Sequence, residues 1–259
     1  MNKEEIQYKA TNENNNKIFN SFVRRKKLMF IIISIIFISL FFVANSWRFD
    51  LNVERIEVEG NNLLPTDVIL KQSGVKINSG LYDFHLKQIE GRINKISYVK
   101  TSHVERELPS TLYIKVIERD PIALIYFNKL SYIDIEKTIM PYNFYKHIID
   151  LPLISGIKID PSSDKLIDSI LVMLDIMRKD YNDIYHQISE VSVKNKNHVV
   201  LYSNNHCVPI YFGNEDFIYK LENLNAFWHE YAIYEELKSI EFIDVRFDNQ
   251  VVVKWNNKI

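Results

Sequence analysis

The stretch from Leu28 to Ala44, LMFIIISIIFISLFFVA, decides the class of this 259-residue protein. It contains no charged residue, and its only polar side chains are the hydroxyls of Ser34 and Ser39, which can bond to helical carbonyls. A helix of about 17 residues rises roughly 25 Å, and its continuation through Trp47 completes the crossing of a bilayer. The Trp47 indole then reaches the headgroup region. A buried β-strand is the alternative, but strands of this length are rare. The sequence therefore predicts a transmembrane helix over residues 28–47.

The charges beside this helix predict its orientation. Arg24 to Lys27 directly precede it and are all basic, whereas the residues that follow it carry mixed charge. The positive-inside rule then places the N-terminus in the cytoplasm and the rest of the chain outside. The alternative is a cleaved signal peptide, because Ala44-Asn45-Ser46 resembles a small-x-small cleavage site. Signal peptides have apolar cores of about 7–15 residues and short leading segments, so a permanent anchor is favoured.

The segment before the helix, residues 1–27, is predicted to be a disordered cytoplasmic tail. Its part up to Val23 is polar and rich in asparagine, and it has too few apolar side chains to offset the entropy of ordering. Such a tail is either a spacer or the carrier of a short motif for a cytoplasmic partner.

Roughly 210 residues follow the helix, which is enough for two small domains with their own cores. The composition is 47% hydrophobic and 13% aromatic with a formal net charge of −1, so the strongly basic face typical of nucleic-acid binding is not expected. Cys207 is the single cysteine and cannot form an internal disulfide. Its apolar neighbours Val208 and Ile210 predict a buried, unreactive side chain.

The first segment outside the membrane begins with a predicted strand and two predicted helices. A β-rich run through Val58 ends at the turn residues Gly60-Asn61-Asn62. A short helix follows, with Thr66 as its N-cap and Gly74 as its end. Asp83 can cap a second helix, whose apolar residues recur at helical spacing and are Leu86, Ile89, Ile93 and Ile96.

Two predicted strands complete this segment, from Tyr98 to Val104 and from Thr111 to Glu118, with a turn at Pro109 between them. The second strand alternates, and its apolar face consists of Leu112, Ile114 and Val116. The order strand-helix-helix-strand-strand predicts a small α+β unit with both helices on one face of the sheet.

Three groups of residues in this segment have a specific spacing. They are Val58-x-Gly60-Asn61, Leu81-Tyr82, and Val104-x-Arg106-x-x-Pro109-x-Thr111-Leu112-x-Ile114-x-Val116-x-Glu118-Arg119-x-Pro121-Ile122-Ala123. Together they resemble the signature of the polypeptide-transport-associated (POTRA) domain in FtsQ/DivIB cell-division proteins. The resemblance implies a POTRA domain over residues 51–120. Glu118 and Arg119 are interpreted as solvated charges at the end of a strand, and Pro121 as a break before the next domain.

Residues 121–259 predict a second α+β domain with a mainly antiparallel sheet. Asp164 can cap one helix, and Gly213 leads into another that runs through Trp228. The predicted strands are Ala123–Phe127, Leu130–Ile135, Ile188–Val193, Val199–Tyr202, Val208–Phe212, Ile240–Phe247 and Val251–Trp255. The segments 151–156 and 212–221 again resemble the FtsQ/DivIB family.

The sequence lacks the patterns typical of catalytic and metal sites. It has no Gly-rich phosphate loop, no Gly-x-Ser-x-Gly and no Cys-x-x-Cys. His198, His206 and Cys207 could meet across a hairpin, but their spacing fits no zinc signature. We therefore expect no enzymatic activity, no cofactor, no metal ion and no small-molecule substrate.

The C-terminal stretch from Asp244 to Trp255 resembles the end of the outer domain in FtsQ/DivIB proteins, where the last strand is an edge to which a segment of FtsB adds. The resemblance implies a partner site at Arg246, Phe247, Asn249, Val251, Val253 and Trp255. Arg246 could pair with a partner carboxylate, and Phe247 and Trp255 would be aromatic anchors. The chain departs from the family at Phe247, where tyrosine is typical, and at Gln250, where a small residue is typical. Alternatively, the last strand only closes the core.

The resemblance implies a division scaffold in the inner membrane, located at the septum and bound to FtsB-like and FtsL-like coiled-coil proteins. One alternative is a POTRA receptor for translocating or outer-membrane polypeptides. Such receptors usually precede a β-barrel, and the sequence has no further series of alternating lipid-facing strands. The other alternative, a membrane-anchored enzyme, is disfavoured by the missing catalytic motifs.

Overall fold

The computed structural model describes residues 24–46, 51–143, 150–158, 161, 164–194, 198–232 and 237–256. These residues divide into two compact units. The first consists of the described residues up to 57 with residues 76–85 and 105–112, and the second consists of residues 58–75 and 86–104 with the described residues from 113 onward.

Helix α1 (Arg24–Ser46) has 23 residues, none of them buried, and a mean hydropathy of 2.7 over an 18-residue window, so it fits a single membrane span. The four basic residues that were predicted to end the tail, Arg24 to Lys27, are already helical. Arginine and lysine are good helix formers, which explains why the helix extends into the cluster. The rest of the predicted tail and Trp47 lie outside the described residues.

In the first unit, the segment after the membrane pairs with a turn near residue 80. The Val53 amide donates to the Ser79 carbonyl at 2.9 Å. Arg106 contacts the same turn, since its Nε donates to the Leu81 carbonyl at 2.7 Å and its Nη2 to the Phe84 carbonyl at 2.5 Å. This residue of the signature therefore binds backbone oxygens of its own chain.

A three-stranded sheet has the order β1-β3-β2, and two helices precede its last two strands in the chain, as predicted. The elements are β1 (Arg55–Glu59), α2 (Thr66–Ser73), α3 (Leu86–Ile93), β2 (Val99–Glu107) and β3 (Thr111–Glu118). In β3 the predicted face is confirmed, because Leu112, Ile114 and Val116 are buried while Lys115 and Ile117 are exposed.

The ends of the two helices differ in part from the prediction. Gly74 ends α2 with a φ of 69°, as expected for a left-handed C-cap. Thr66 is the first helical residue of α2 and not its cap, and its hydroxyl accepts a hydrogen bond from Asn61 Nδ2 at 3.0 Å. Helix α3 begins at Leu86, three residues after Asp83, and ends before Ile96.

Within the described residues, the second unit holds a nine-stranded sheet in the order β12-β11-β10-β9-β8-β7-β4-β5-β6. Its strands are β4 (Pro121–Tyr126), β5 (Leu130–Asp134), β6 (Ile139–Pro141), β7 (Leu153–Ser155), β8 (Ile188–Val193), β9 (Val199–Ser203), β10 (Pro209–Gly213), β11 (Ile240–Asp244) and β12 (Val252–Trp255). Five neighbouring pairs are antiparallel and three are parallel. Pro121 follows the two-residue break between β3 and β4 and opens β4, a position that tolerates proline.

One row of aliphatic side chains crosses this sheet in register and forms the sheet side of the core. Its members are Ile125, Ile154, Val191, Leu201, Ile210, Ile243 and Val253. Helices α4 (Lys165–Asp180) and α6 (Phe217–Phe227) contribute the other side of the same hydrophobic cluster. Asp164 caps α4 as predicted, accepting from the Leu166 amide at 2.9 Å. A short helix α5 (Asn182–Tyr185) follows it.

Cys207 is exposed, contrary to the prediction of a buried side chain. It lies in the tight turn between β9 and β10 and has a φ of 52°. Val208 and Ile210 are two positions apart and are buried on one face, whereas Cys207 is an odd-numbered neighbour in the turn and does not share that face.

Candidate functional site: the C-terminal edge of the sheet

Strand β12 forms one end of the nine-stranded sheet, and among the described strands its single neighbour is β11. The two strands are antiparallel, with Ile243 opposite Val253 and Asp244 opposite Val252. The other side of β12 is therefore an edge that can accept a further strand.

The hydrogen bond that follows β12 indicates which peptide groups face this edge. The Asn256 amide donates to the Ser239 carbonyl at 2.8 Å, so it points toward the β11 side. Successive residues of a strand direct their N–H and C=O groups to alternate sides. Lys254 and Val252 then share the orientation of Asn256, and the peptide groups of Val253 and Trp255 point to the open edge.

The predicted contact residues fall into two groups. Val251 and Val253 are half-buried and pack against the core, whereas Phe247 is 47% exposed and Trp255 is 41% exposed. Phe247 was predicted within a strand, but β11 already ends at Asp244. Phe247 therefore lies in the β11–β12 connection (residues 245–251), together with Arg246 and Asn249.

Arg246 is already paired within the chain. Its Nε lies 2.8 Å from Asp244 Oδ1 and its Nη2 lies 2.5 Å from Asp244 Oδ2, while its guanidinium lies 5.3 Å from the ring centre of Tyr211. Burial alone would raise the pKa of the Asp244 carboxyl, but the hydrogen bonds from Arg246 outweigh it and hold the pKa below its usual range. Asp244 binds Nε and Nη2 of the guanidinium, while the side chain is 42% exposed, so pairing of Arg246 with a partner carboxylate stays a prediction.

The far end of the β11–β12 connection is held by a residue that the sequence did not single out. Tyr219 of α6 donates from its hydroxyl to Asn249 Oδ1 at 2.5 Å and accepts from the Asn249 amide at 3.2 Å. Asn249 has a φ of 55°, a conformation that asparagine tolerates better than most residues. Since the two residues are 30 positions apart, no local pattern could have predicted the contact.

Glu118 is a structural carboxylate, contrary to its interpretation as a solvated charge. Its oxygens accept hydrogen bonds from the amides of Asn62, Leu63 and Leu64 at 2.7–2.9 Å. The neighbouring Gly60 has a φ of 87°, and a Cβ there would lie 2.0 Å from the Val116 carbonyl oxygen. These two residues of the signature therefore fix the turn that follows β1.

Arg119 is likewise not a solvated charge, because its side chain is only 17% exposed. Its Nη1 lies 2.8 Å from both Asp134 Oδ2 and Glu136 Oε2. The hydrogen bond to the buried Asp134 raises the pKa of the guanidinium. These contacts give Arg119 a structural role. Pro109, another residue of the signature, lies in the turn between β2 and β3.

Across the ranges that the structure describes, no group of three or more His, Cys, Asp or Glu side chains is placed to hold a metal ion.

Two family models match the chain in succession. The first, described as POTRA domain, FtsQ-type, matches residues 51–119, and the second, described as FtsQ/DivIB, C-terminal related, matches residues 120–254.

Several proteins named cell division protein FtsQ are similar to this chain. The one from Geotalea daltonii is 26% identical over 208 residues, which are 78% of this chain and 75% of the relative. The one from Rhodothermus marinus is 28% identical over 244 residues, covering 90% of this chain and 88% of the relative. The one from Syntrophotalea carbinolica is 28% identical over 214 residues, covering 78% and 73%.

Proposed function

Because the chain belongs to the FtsQ/DivIB family of cell-division proteins, we propose that it is a scaffold that links cytoplasmic division proteins to septal wall synthesis outside the membrane. The family is non-enzymatic, and we extend this property to the present chain. The proposed organisation is a cytoplasmic tail that leads into a single span, a POTRA domain over residues 51–120 and a partner-binding domain over residues 121–259.

The observation that carries the proposal is the open edge of β12. Val253 and Trp255 direct peptide groups toward it, and the exposed rings of Phe247 and Trp255 lie beside it in the chain. A partner strand that adds there gains main-chain hydrogen bonds, while the aromatic side chains supply specificity. We infer that an FtsB-like protein supplies this strand and that an FtsL-like protein accompanies it.

The proposal is tested by purifying the tagged full-length chain from native membranes in mild detergent. We expect FtsB-like and FtsL-like proteins to co-purify, and a fluorescent fusion to concentrate at midcell. A Val253→Pro chain lacks one N–H that faces the open edge of β12 and serves as the negative control. We expect the FtsB-like and FtsL-like proteins not to co-purify with it. Recovery of outer-membrane precursors in their place would identify the chain as a POTRA receptor and overturn the scaffold function.

Topology gives an independent prediction. A reporter that is active only in the cytoplasm should work at the N-terminus and fail when it is fused after Trp255, because Arg24 to Lys27 retain their end of α1 inside. Replacing all four basic residues with glutamine should give mixed or failed insertion, whereas Lys71→Gln with Lys76→Gln should leave the topology unchanged. A reporter that is active only at the C-terminal fusion would contradict the assignment.

A further inference from the structure

We propose that Tyr219 is a positioning residue for the partner edge: its hydroxyl holds Asn249 and thereby fixes the backbone of the β11–β12 connection that carries Phe247. This inference rests on the proposed function. It adds a residue on α6, outside the C-terminal stretch, to the determinants of partner affinity.

Two anchors hold the β11–β12 connection, one at each end. Near β11, Arg246 is bound to Asp244 through two of its guanidinium nitrogens and through its own amide, which donates to Asp244 Oδ1 at 3.1 Å. Near β12, Asn249 is bound to Tyr219 through both its amide and its side chain. Phe247 lies between the anchors, and its ring is left exposed while the backbone on either side of it is fixed.

The helix that carries Tyr219 is a firm support for this contact. Lys220, the next residue, is buried and donates to the Glu215 carbonyl at 2.6 Å, which fixes the first turn of α6. Phe217 and Leu221 of the same helix belong to the hydrophobic core. From this helix, the Tyr219 hydroxyl donates to the side chain of Asn249 and accepts from its amide, so one group holds both the side chain and the backbone of Asn249.

The contact matters for binding because it orders the connection before the partner arrives. Association of two proteins loses the conformational freedom of every side chain and loop that becomes fixed at the interface. A connection that is already fixed avoids part of this loss. Without the hydroxyl, residues 247–250 sample more conformations, and the ordering is then needed at the moment of binding.

The test uses the full-length chain in detergent micelles and, as the probe, the extracytoplasmic segment of the FtsB-like protein from the same genome. In Tyr219→Phe we expect the affinity to fall roughly tenfold, and the Asn249 amide to lose its protection against hydrogen exchange. Thermal unfolding should stay cooperative, because the ring and its packing are retained. Tyr126→Phe, on the exposed side of β4, is the matched control and should change neither quantity.

A double-mutant cycle separates positioning from a general effect on stability. Asn249→Gly keeps the left-handed backbone and removes the side-chain acceptor, so it should weaken binding less than Tyr219→Phe. The double variant should bind like Tyr219→Phe alone, because both changes act through one contact. Additive losses, or parental affinity in Tyr219→Phe, would overturn the positioning role.

Trp255→Ala distinguishes this inference from the proposed function on which it rests. Weaker binding in Trp255→Ala with parental binding in Tyr219→Phe would remove the positioning role and leave the partner edge in place. Parental binding in Trp255→Ala, Val253→Pro and Tyr219→Phe would remove both.

Discussion

Replacing Trp255 with alanine is expected to weaken binding of the FtsB-like partner by about 2 kcal/mol or more, the loss typical of an interface hot spot. Trp255 lies at the end of β12 with 41% of its surface exposed, so a strand added at this edge would cover its ring. Phe247→Ala should have an effect of the same order. The measurement is titration calorimetry of the full-length chain in detergent micelles with the extracytoplasmic segment of the partner.

The backbone of β12 permits a sharper version of the same test. Val253→Pro removes a peptide N–H that faces the open edge, and the loss should be about 1–3 kcal/mol because a carbonyl of the partner is then left unsatisfied. Val253→Ala retains the N–H and is the matched control for the lost side chain. Proline is tolerated on an edge strand when its nitrogen faces outward, so the chain should still fold.

Arg246 is a poor probe of the partner, although its position beside Phe247 suggests otherwise. Arg246→Glu would place a second carboxylate beside the buried Asp244, and the folded chain itself would be destabilised. The variants at Trp255, Phe247 and Val253 avoid this complication. If all three bind the partner with parental affinity and melt cooperatively, β12 only closes the core, and the partner site lies elsewhere on the chain.

Leu112→Ala is expected to lower the free energy of unfolding by about 2–5 kcal/mol, since Leu112 is fully buried. Such a loss is a large fraction of the stability of an ordinary domain. The control is Ile117→Ala in the same strand, because Ile117 points to the other face and is 52% exposed. Its expected change is within about 0.5 kcal/mol.

Chemical denaturation of the full-length chain, followed by tyrosine and tryptophan fluorescence, measures both variants under one condition. Equal unfolding midpoints for Leu112→Ala and the parent would contradict the assignment of the buried face. A large loss in Ile117→Ala would contradict it as well.

The features that the sequence predicted correctly depend on short stretches. The span follows from the length and hydropathy of one uninterrupted segment, and the faces of β3 follow from alternation over eight residues. Gly74 ends α2 through its left-handed backbone, and Asp164 begins α4 by accepting a hydrogen bond from the amide of Leu166, two residues on. In each case the physical cause lies within a few positions of the residue concerned.

The Asp244–Arg246 pair was within reach of the sequence but was missed. An acidic and a basic residue two positions apart are close enough to pair, and the fork of an arginine matches the two oxygens of a carboxylate.

Only the tertiary structure decided the roles of Glu118, Arg119 and Tyr219. Glu118 binds amides 54–56 residues away, Arg119 binds carboxylates 15 and 17 residues away, and Tyr219 binds a residue 30 positions away. In the sequence each is a polar residue at an ordinary exposed position. Burial and hydrogen bonding determine what such a residue does, and both depend on which distant segments the fold brings beside it.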